Sequence, residues 1–171
     1  VRGNITNSSL AIGQDWIFGC RAYDGSLYSS FLNSSNTTIV SACGTITSST
    51  ILENDVSSAG TCITIGADNV ILDCAGHTIN YSQSAQGYGV NISSQNGTLI
   101  RGCNIVQGQP GTPAEHSYGV YIYRNASLNV IYNNTIETNG SRSYGVNIFK
   151  QAYNNTVYNN SIFTRGGVGA G

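Results

Sequence analysis

Charge is what this chain has least of. Only 9% of its 171 residues are Asp, Glu, Lys or Arg, against about 25% in an ordinary soluble domain. Seven basic and eight acidic residues leave a formal net charge of -1. There is no basic stripe of the kind that meets phosphates, so no nucleic-acid partner is expected. No apolar run is long enough to span a bilayer, so no membrane span is expected either. No stretch repeats its apolar residues at helical spacing between caps, which excludes helices as the main element. The chain starts at Val1 without a signal peptide, and a processed mature form and a fragment fit this equally.

What the chain has instead is repetition. Tyr88-Gly89-Val90-Asn91-Ile92 returns as Tyr118-Gly119-Val120-Tyr121-Ile122 and as Tyr144-Gly145-Val146-Asn147-Ile148, at spacings of 30 and 26 residues. A second element follows each copy: Thr98-Leu99-Ile100-Arg101-Gly102-Cys103-Asn104-Ile105, then Asn129-Val130-Ile131-Tyr132-Asn133-Asn134-Thr135-Ile136, then Asn155-Thr156-Val157-Tyr158-Asn159-Asn160-Ser161-Ile162. A divergent earlier turn aligns through Cys62-Ile63-Thr64-Ile65, Val70-Ile71-Leu72-Asp73-Cys74 and Thr78-Ile79. A fixed element recurring at such intervals marks a stacked-repeat architecture.

Within each motif apolar and polar residues alternate, the period of a strand. Two or three short strands per repeat describe one rung of a parallel β-helix, with rungs about 4.8 Å apart. Equivalent residues then form columns. Ile63–Val90–Val120–Val146, Ile65–Ile92–Ile122–Ile148 and Ile79–Ile105–Ile136–Ile162 are predicted to point inward as aliphatic stacks. Asn134 and Asn160 fall at matching bends, where Asn tolerates a left-handed backbone and stacked amides can bond along the axis.

On these motifs, together with Cys43-Gly44-Thr45-Ile46, Gly60-Thr61, Ala67-Asp68-Asn69 and Gly76-His77, the chain resembles the right-handed parallel β-helix repeat proteins. That broad group includes pectate lyase-like enzymes, sugar-binding β-helices and many archaeal surface proteins. The resemblance covers roughly residues 40–165 and speaks to fold far more than to function. The expectation is an all-β, right-handed parallel β-helix of about four to five rungs over residues 39–171. Residues 1–38 form a distinct N-terminal segment.

Asn-x-Ser/Thr occurs 12 times, at Asn4, Asn7, Asn33, Asn36, Asn80, Asn91, Asn96, Asn125, Asn133, Asn139, Asn154 and Asn159. With 20 Asn and 36 Ser plus Thr, chance would give about 4. One reading is N-glycosylation of an exported protein, with glycans supplying the solubility that charge does not. The other is that these are simply the turn residues of a β-helix. Asn133 and Asn159 are the weakest acceptors on this view, because they adjoin the bends. Five cysteines point to an oxidising compartment, with Cys74–Cys103 and Cys43–Cys62 as the expected pairs from rung geometry and Cys20 left over. Five reduced core thiols are the competing reading.

The N-terminal segment carries Trp16, Phe18, Tyr23, Tyr28 and Phe31. It reads as a cap over the first rung or as a strand that docks on another subunit through Trp16 and Phe18, with Cys20 as a possible cross-link. After the last rung only a glycine-rich tail, Thr164 to Gly171, remains. An open last rung exposes unpaired backbone groups, and a head-to-tail contact that does not close makes a filament.

Catalysis finds little support. Of the acids Asp15, Asp24, Glu53, Asp55, Asp68, Asp73, Glu115 and Glu137, no two share an outward strand column, and Glu53 and Asp55 have no partner in the repeat. No calcium or other metal cluster is read, and no cofactor. His77 reads as a turn residue. Glu115-His116, near Pro110 and Pro113, is the nearest thing to an acid/base pair. The outward column Asp73, Arg101, Tyr132, Tyr158 suggests an ion pair, a cation–π contact of Arg101 with Tyr132, and either a sugar-binding aromatic row or plain sheet-favouring tyrosines. The expectation is therefore a non-enzymatic, extracellular, N-glycosylated structural protein. Its partners would be copies of itself in a surface filament or sheath. A carbohydrate-binding or polysaccharide-processing β-helix is the alternative.

Overall fold

The structure, a computed structural model, describes residues 15–16, 19–20, 25–27, 32–33, 37–108 and 115–165; for 15–16, 19–20, 32–33 and 37 it describes the backbone only. The regular structure described is all β. Three strands recur five times. The turns are β5 (Gly44–Ile46), β6 (Ser49–Leu52) and β7 (Val56–Ser57); β8 (Ile63–Ile65), β9 (Ile71–Asp73) and β10 (Thr78–Tyr81); β11 (Tyr88–Ser93), β12 (Leu99–Arg101) and β13 (Asn104–Gln107); β14 (Tyr118–Tyr123), β15 (Val130–Tyr132) and β16 (Thr135–Thr138); β17 (Val146–Phe149), β18 (Thr156–Tyr158) and β19 (Ser161–Thr164). Each strand pairs in parallel with its equivalent one turn away, which makes three parallel sheets. This is a right-handed parallel β-helix. We call the sheets first, second and third in the order each turn meets them.

The predicted inward columns are present in register. Val90 lies opposite Ile63 and Val120, and Ile105 opposite Ile79 and Ile136. These side chains, with Leu72, Ile100 and Ile131 of the second sheet, are fully buried. Each contributes about 1.5–3 kcal/mol by leaving water.

The glycine of the pentapeptide has a steric cause. A Cβ on Gly89 would meet the Ile105 side chain and the Gly119 carbonyl, and one on Gly119 would meet Ile136 and the Gly145 carbonyl. The corner between third and first sheets thus needs a residue with no side chain, which fixes Gly in the motif.

At the corner between second and third sheets the expected bend is displaced by one residue. The left-handed residues are Asn133 (φ 56) and Asn159 (φ 52), not Asn134 and Asn160, and Gly102 (φ 63) holds the place one turn earlier. The reason is that the second asparagine of each pair turns its amide inward. Asn134 Oδ1 accepts from the Cys103 N–H at 3.0 Å, and its Nδ2 donates to Asn160 Oδ1 at 3.0 Å and to the Ile100 and Tyr132 carbonyls. Asn129 and Asn155 form a second such ladder, with Thr98 N–H donating to Asn129 Oδ1 at 2.8 Å. The side chains do along the axis what strands do between the corners, so buried backbone there keeps its partners.

Cys74 is bonded to Cys103, directly above Asn134, so disulfide and amide ladder continue one another. Cys43 is bonded to Cys62. These two bracket the first turn, preceding β5 and β8 at equivalent places, with Cα atoms 4.6 Å apart.

Before the first turn, β4 (Thr37–Val40) pairs in parallel with β6, and β1 (Asp15–Trp16) pairs antiparallel with β4. Trp16 lies opposite Thr37 of its own chain. A separate two-stranded ribbon joins β2 (Gly19–Cys20) to β3 (Leu32–Asn33). Phe18, Pro110, Pro113 and residues 166–171 lie outside the described residues, as do the side chains of Trp16 and Cys20.

Candidate functional site

Four of the described acidic side chains, Asp55, Asp68, Asp73 and Glu137, hold turns together. In the outward column of the second sheet, Asp73 Oδ2 sits 2.8 Å from Arg101 Nη2 and 2.9 Å from its Nε, while Asp73 Oδ1 accepts from the Ala75 N–H. The guanidinium reaches Tyr132 through the phenolic oxygen, at 3.4 Å, in place of the expected cation–π contact. The Tyr132 hydrogen bond, then the Asp73 bond and charge, hold the Arg101 pKa above its ordinary value. Asp55 does have a partner in the repeat: it accepts from the Thr78 N–H at 2.8 Å and faces His77 Nδ1 at 3.4 Å. That backbone bond, more than His77, draws its pKa below the ordinary range. Asp68 accepts from the Asn96 N–H, and Glu137 pairs with Arg165 at 2.9 Å. Glu115 and His116 are both exposed, His116 in a left-handed turn with Nδ1 3.5 Å from the Tyr118 hydroxyl. Among the described residues no three His, Cys, Asp or Glu side chains gather into a possible metal site. No helix of the described residues is long and apolar enough to cross a membrane.

The most developed surface is on the first sheet, and it was not singled out from the sequence. Tyr88, Tyr118 and Tyr144, the opening residue of each pentapeptide, form a row with ring centroids 5.6 and 5.7 Å apart and near-parallel planes. Tyr121 packs against Tyr88, Tyr118 and Tyr123, and Arg124 lies over the Tyr123 ring. Burial first, then neighbouring phenols, raises the pKa of Tyr88 and Tyr121; burial does the same for Tyr118. The signal was in the motif itself, whose first letter is Tyr three times. On the second sheet Tyr132 and Tyr158 stack at 5.3 Å. Rings stacked along the axis give their faces to each other. What a ring between two neighbours offers outward is an edge and a hydroxyl.

The last turn is the other distinctive place. Ile148, Val157 and Ile162 occupy inward columns, yet they are 42%, 39% and 43% exposed, whereas Ile122, Ile131 and Ile136 one turn earlier are at 0%. The strands β17, β18 and β19 each end their sheet. Among the described residues nothing lies over this cross-section.

The sequon asparagines divide by environment. Asn125, Asn133, Asn154 and Asn159 are exposed and left-handed, at corners. Asn96 Oδ1 accepts from the N–H and hydroxyl of Ser127, and Asn139 Nδ2 donates to the Gln107 carbonyl. Asn80 and Asn91 lie half-buried within strands, with Asn91 Oδ1 fully covered. Asn4, Asn7 and Asn36 lie outside the described residues, and of Asn33 only the backbone is described.

No curated protein and no solved structure matches the chain. A family model described as "Right handed beta helix region" matches residues 39–171, the span that holds all five turns. On that match and on the sheets themselves, the chain belongs to the right-handed β-helix family.

Proposed function

We propose that this is a structural, non-catalytic β-helix of an exported surface assembly, extended head to tail by copies of itself and coated with N-glycans. The observation that carries the reading is the last described turn, where three inward aliphatic residues and three strand edges have nothing over them among the described residues. Such a surface is matched by another turn of the same solenoid, since each sheet repeats at one strand spacing. At the opposite end, among the described residues, β5 and β7 end their sheets and β1 ends the second sheet. A contact between unlike ends does not close and propagates as a fibre. The two disulfides and the poverty of charge fit an oxidising exterior. Carbohydrate binding draws less support from the tyrosine rows, because their ring faces are engaged with one another.

Small-angle scattering and sedimentation over a concentration series test the assembly. The expected result is mass and length growing with concentration, abolished by Val157→Asp, which puts a charge into the contact. A monomer at every concentration would sink the proposal.

A further inference from the structure

We infer that the N-glycans are rooted at the two corners that border the second sheet, at Asn125 and Asn154 on one side and Asn133 and Asn159 on the other. This rests on the exported-glycoprotein reading and specifies its modification sites. The four residues share three properties. Each opens an Asn-x-Ser/Thr sequon. Each is exposed. Each is left-handed, with φ between 52 and 61, at a corner where the chain turns outward between strands. Asn133 and Asn159 follow the paired residues Tyr132 and Tyr158, so they sit one rung apart on the same line. At the other corner the parallel bridge of Ser127 to Tyr153 sets Asn154 level with Leu128 and Asn125 level with Gln151, so these two share the corner three residues out of line.

The other described sequon asparagines are half-buried. Asn96 and Asn139 use their amides to hold the neighbouring turn. Asn91 lies under the tyrosines with its carbonyl oxygen covered. Asn80 stands in mid-strand between Ser57 and Val106, ahead of the buried Tyr81 and Ser82. A bulky glycan on Asn96 or Asn139 must break the bonds to the neighbouring turn, and on Asn80 or Asn91 it must rise from a half-covered strand face, whereas at the exposed corners it projects into water.

The modification is a transfer from a lipid-pyrophosphate-activated oligosaccharide. Asn Nδ2 forms a bond to the anomeric carbon, and the bond from that carbon to the pyrophosphate oxygen breaks. The lipid pyrophosphate leaves with the electron pair, and the amide proton passes to a base.

The consequence is a fenced sheet. The strands of the second sheet are three residues wide at β9, β12, β15 and β18, or about 10 Å. Glycans rising on both borders cover it and the exposed Leu128, Tyr153 and Tyr158 beside them. The tyrosine face of the first sheet stays bare, and the glycans at Asn154 and Asn159, on either side of β18 in the last turn, leave the corners sideways rather than along the axis.

Glycopeptide mass mapping of the full chain, secreted from a host whose export pathway carries a sequon-directed oligosaccharyltransferase, tests this. The expected result is occupancy at the four corner asparagines and none at Asn80, Asn91, Asn96 and Asn139. Thr135→Ala and Ser161→Ala should each remove one glycan mass while keeping the left-handed asparagine and the melting temperature. Glycans on the strand or ladder asparagines with bare corners, or only among Asn4, Asn7, Asn33 and Asn36, would overturn the site assignment and leave the glycoprotein reading standing. Secreted protein with no glycan at all would overturn both.

Discussion

Asn133 and Asn134 are chain neighbours with different tasks, and alanine at each separates them. Asn134→Ala removes the acceptor of the Cys103 N–H and the donor to the Ile100 and Tyr132 carbonyls and to Asn160 Oδ1, four contacts of 3.0–3.1 Å around a buried residue. Leaving one buried N–H unsatisfied costs about 1–3 kcal/mol and each lost bond a net ~0.5–1.5, so a loss on the order of 3 kcal/mol is expected after partial relaxation. In a chain of this size about 1 kcal/mol moves the midpoint by about 2–4 °C, which predicts a fall of about 6–12 °C. Asn133→Ala touches no such network. It loses only the tolerance of Asn for φ 56, about 1 kcal/mol, and Asn133→Gly should be nearly neutral. Thermal and urea melts followed by circular dichroism, with disulfides intact, read the difference. If Asn134→Ala melts no lower than Asn133→Ala, the ladder does not hold the turns and the argument from buried amides is wrong.

Two further outcomes follow from the packing. Gly119→Ala drives a Cβ into Ile136 and the Gly145 carbonyl and should cost about 1–3 kcal/mol as an overpacked corner, while Gly44→Ala, with open space around it, should be silent in the same melts. Tyr81 is buried with its hydroxyl unpartnered among the described residues, and burial drives its pKa above the ordinary 10.0. A pKa raised in the fold gives stability that is full below the unfolded value and lost as pH rises beyond it, so melting should fall above about pH 10. Tyr81→Phe should flatten that fall in part, since Tyr88, Tyr118 and Tyr121 are also raised; an unchanged slope would show that Tyr81 is not the buried phenol responsible.

Much of the fold could be read in advance because a solenoid writes its geometry locally. The register of Val90 on Ile63 and Val120, or of Asp73 on Arg101 and Tyr132, follows from aligning one repeat on the next. The same alignment placed Cys74 near Cys103. It missed by one residue at the Asn133-Asn134 corner, because either asparagine suits a left-handed bend and only the direction of the amide decides. It missed the tyrosine row because Tyr88, Tyr118 and Tyr144 were read as markers of period, and sequence spacing does not show which way a ring stacks. Asp55 reached Thr78 and His77 across a turn, a contact invisible to a column-by-column alignment.

By itself the sequence determined the period and the inward aliphatic columns, since each depends on residues one repeat apart and on strand alternation. Only the tertiary structure decided which asparagines hold the core and which face water, and that the aromatic rows are closed stacks rather than open platforms. Those outcomes depend on the orientation of side chains in three dimensions, where one left-handed backbone torsion at a corner leaves one asparagine in solvent and turns the next into the wall.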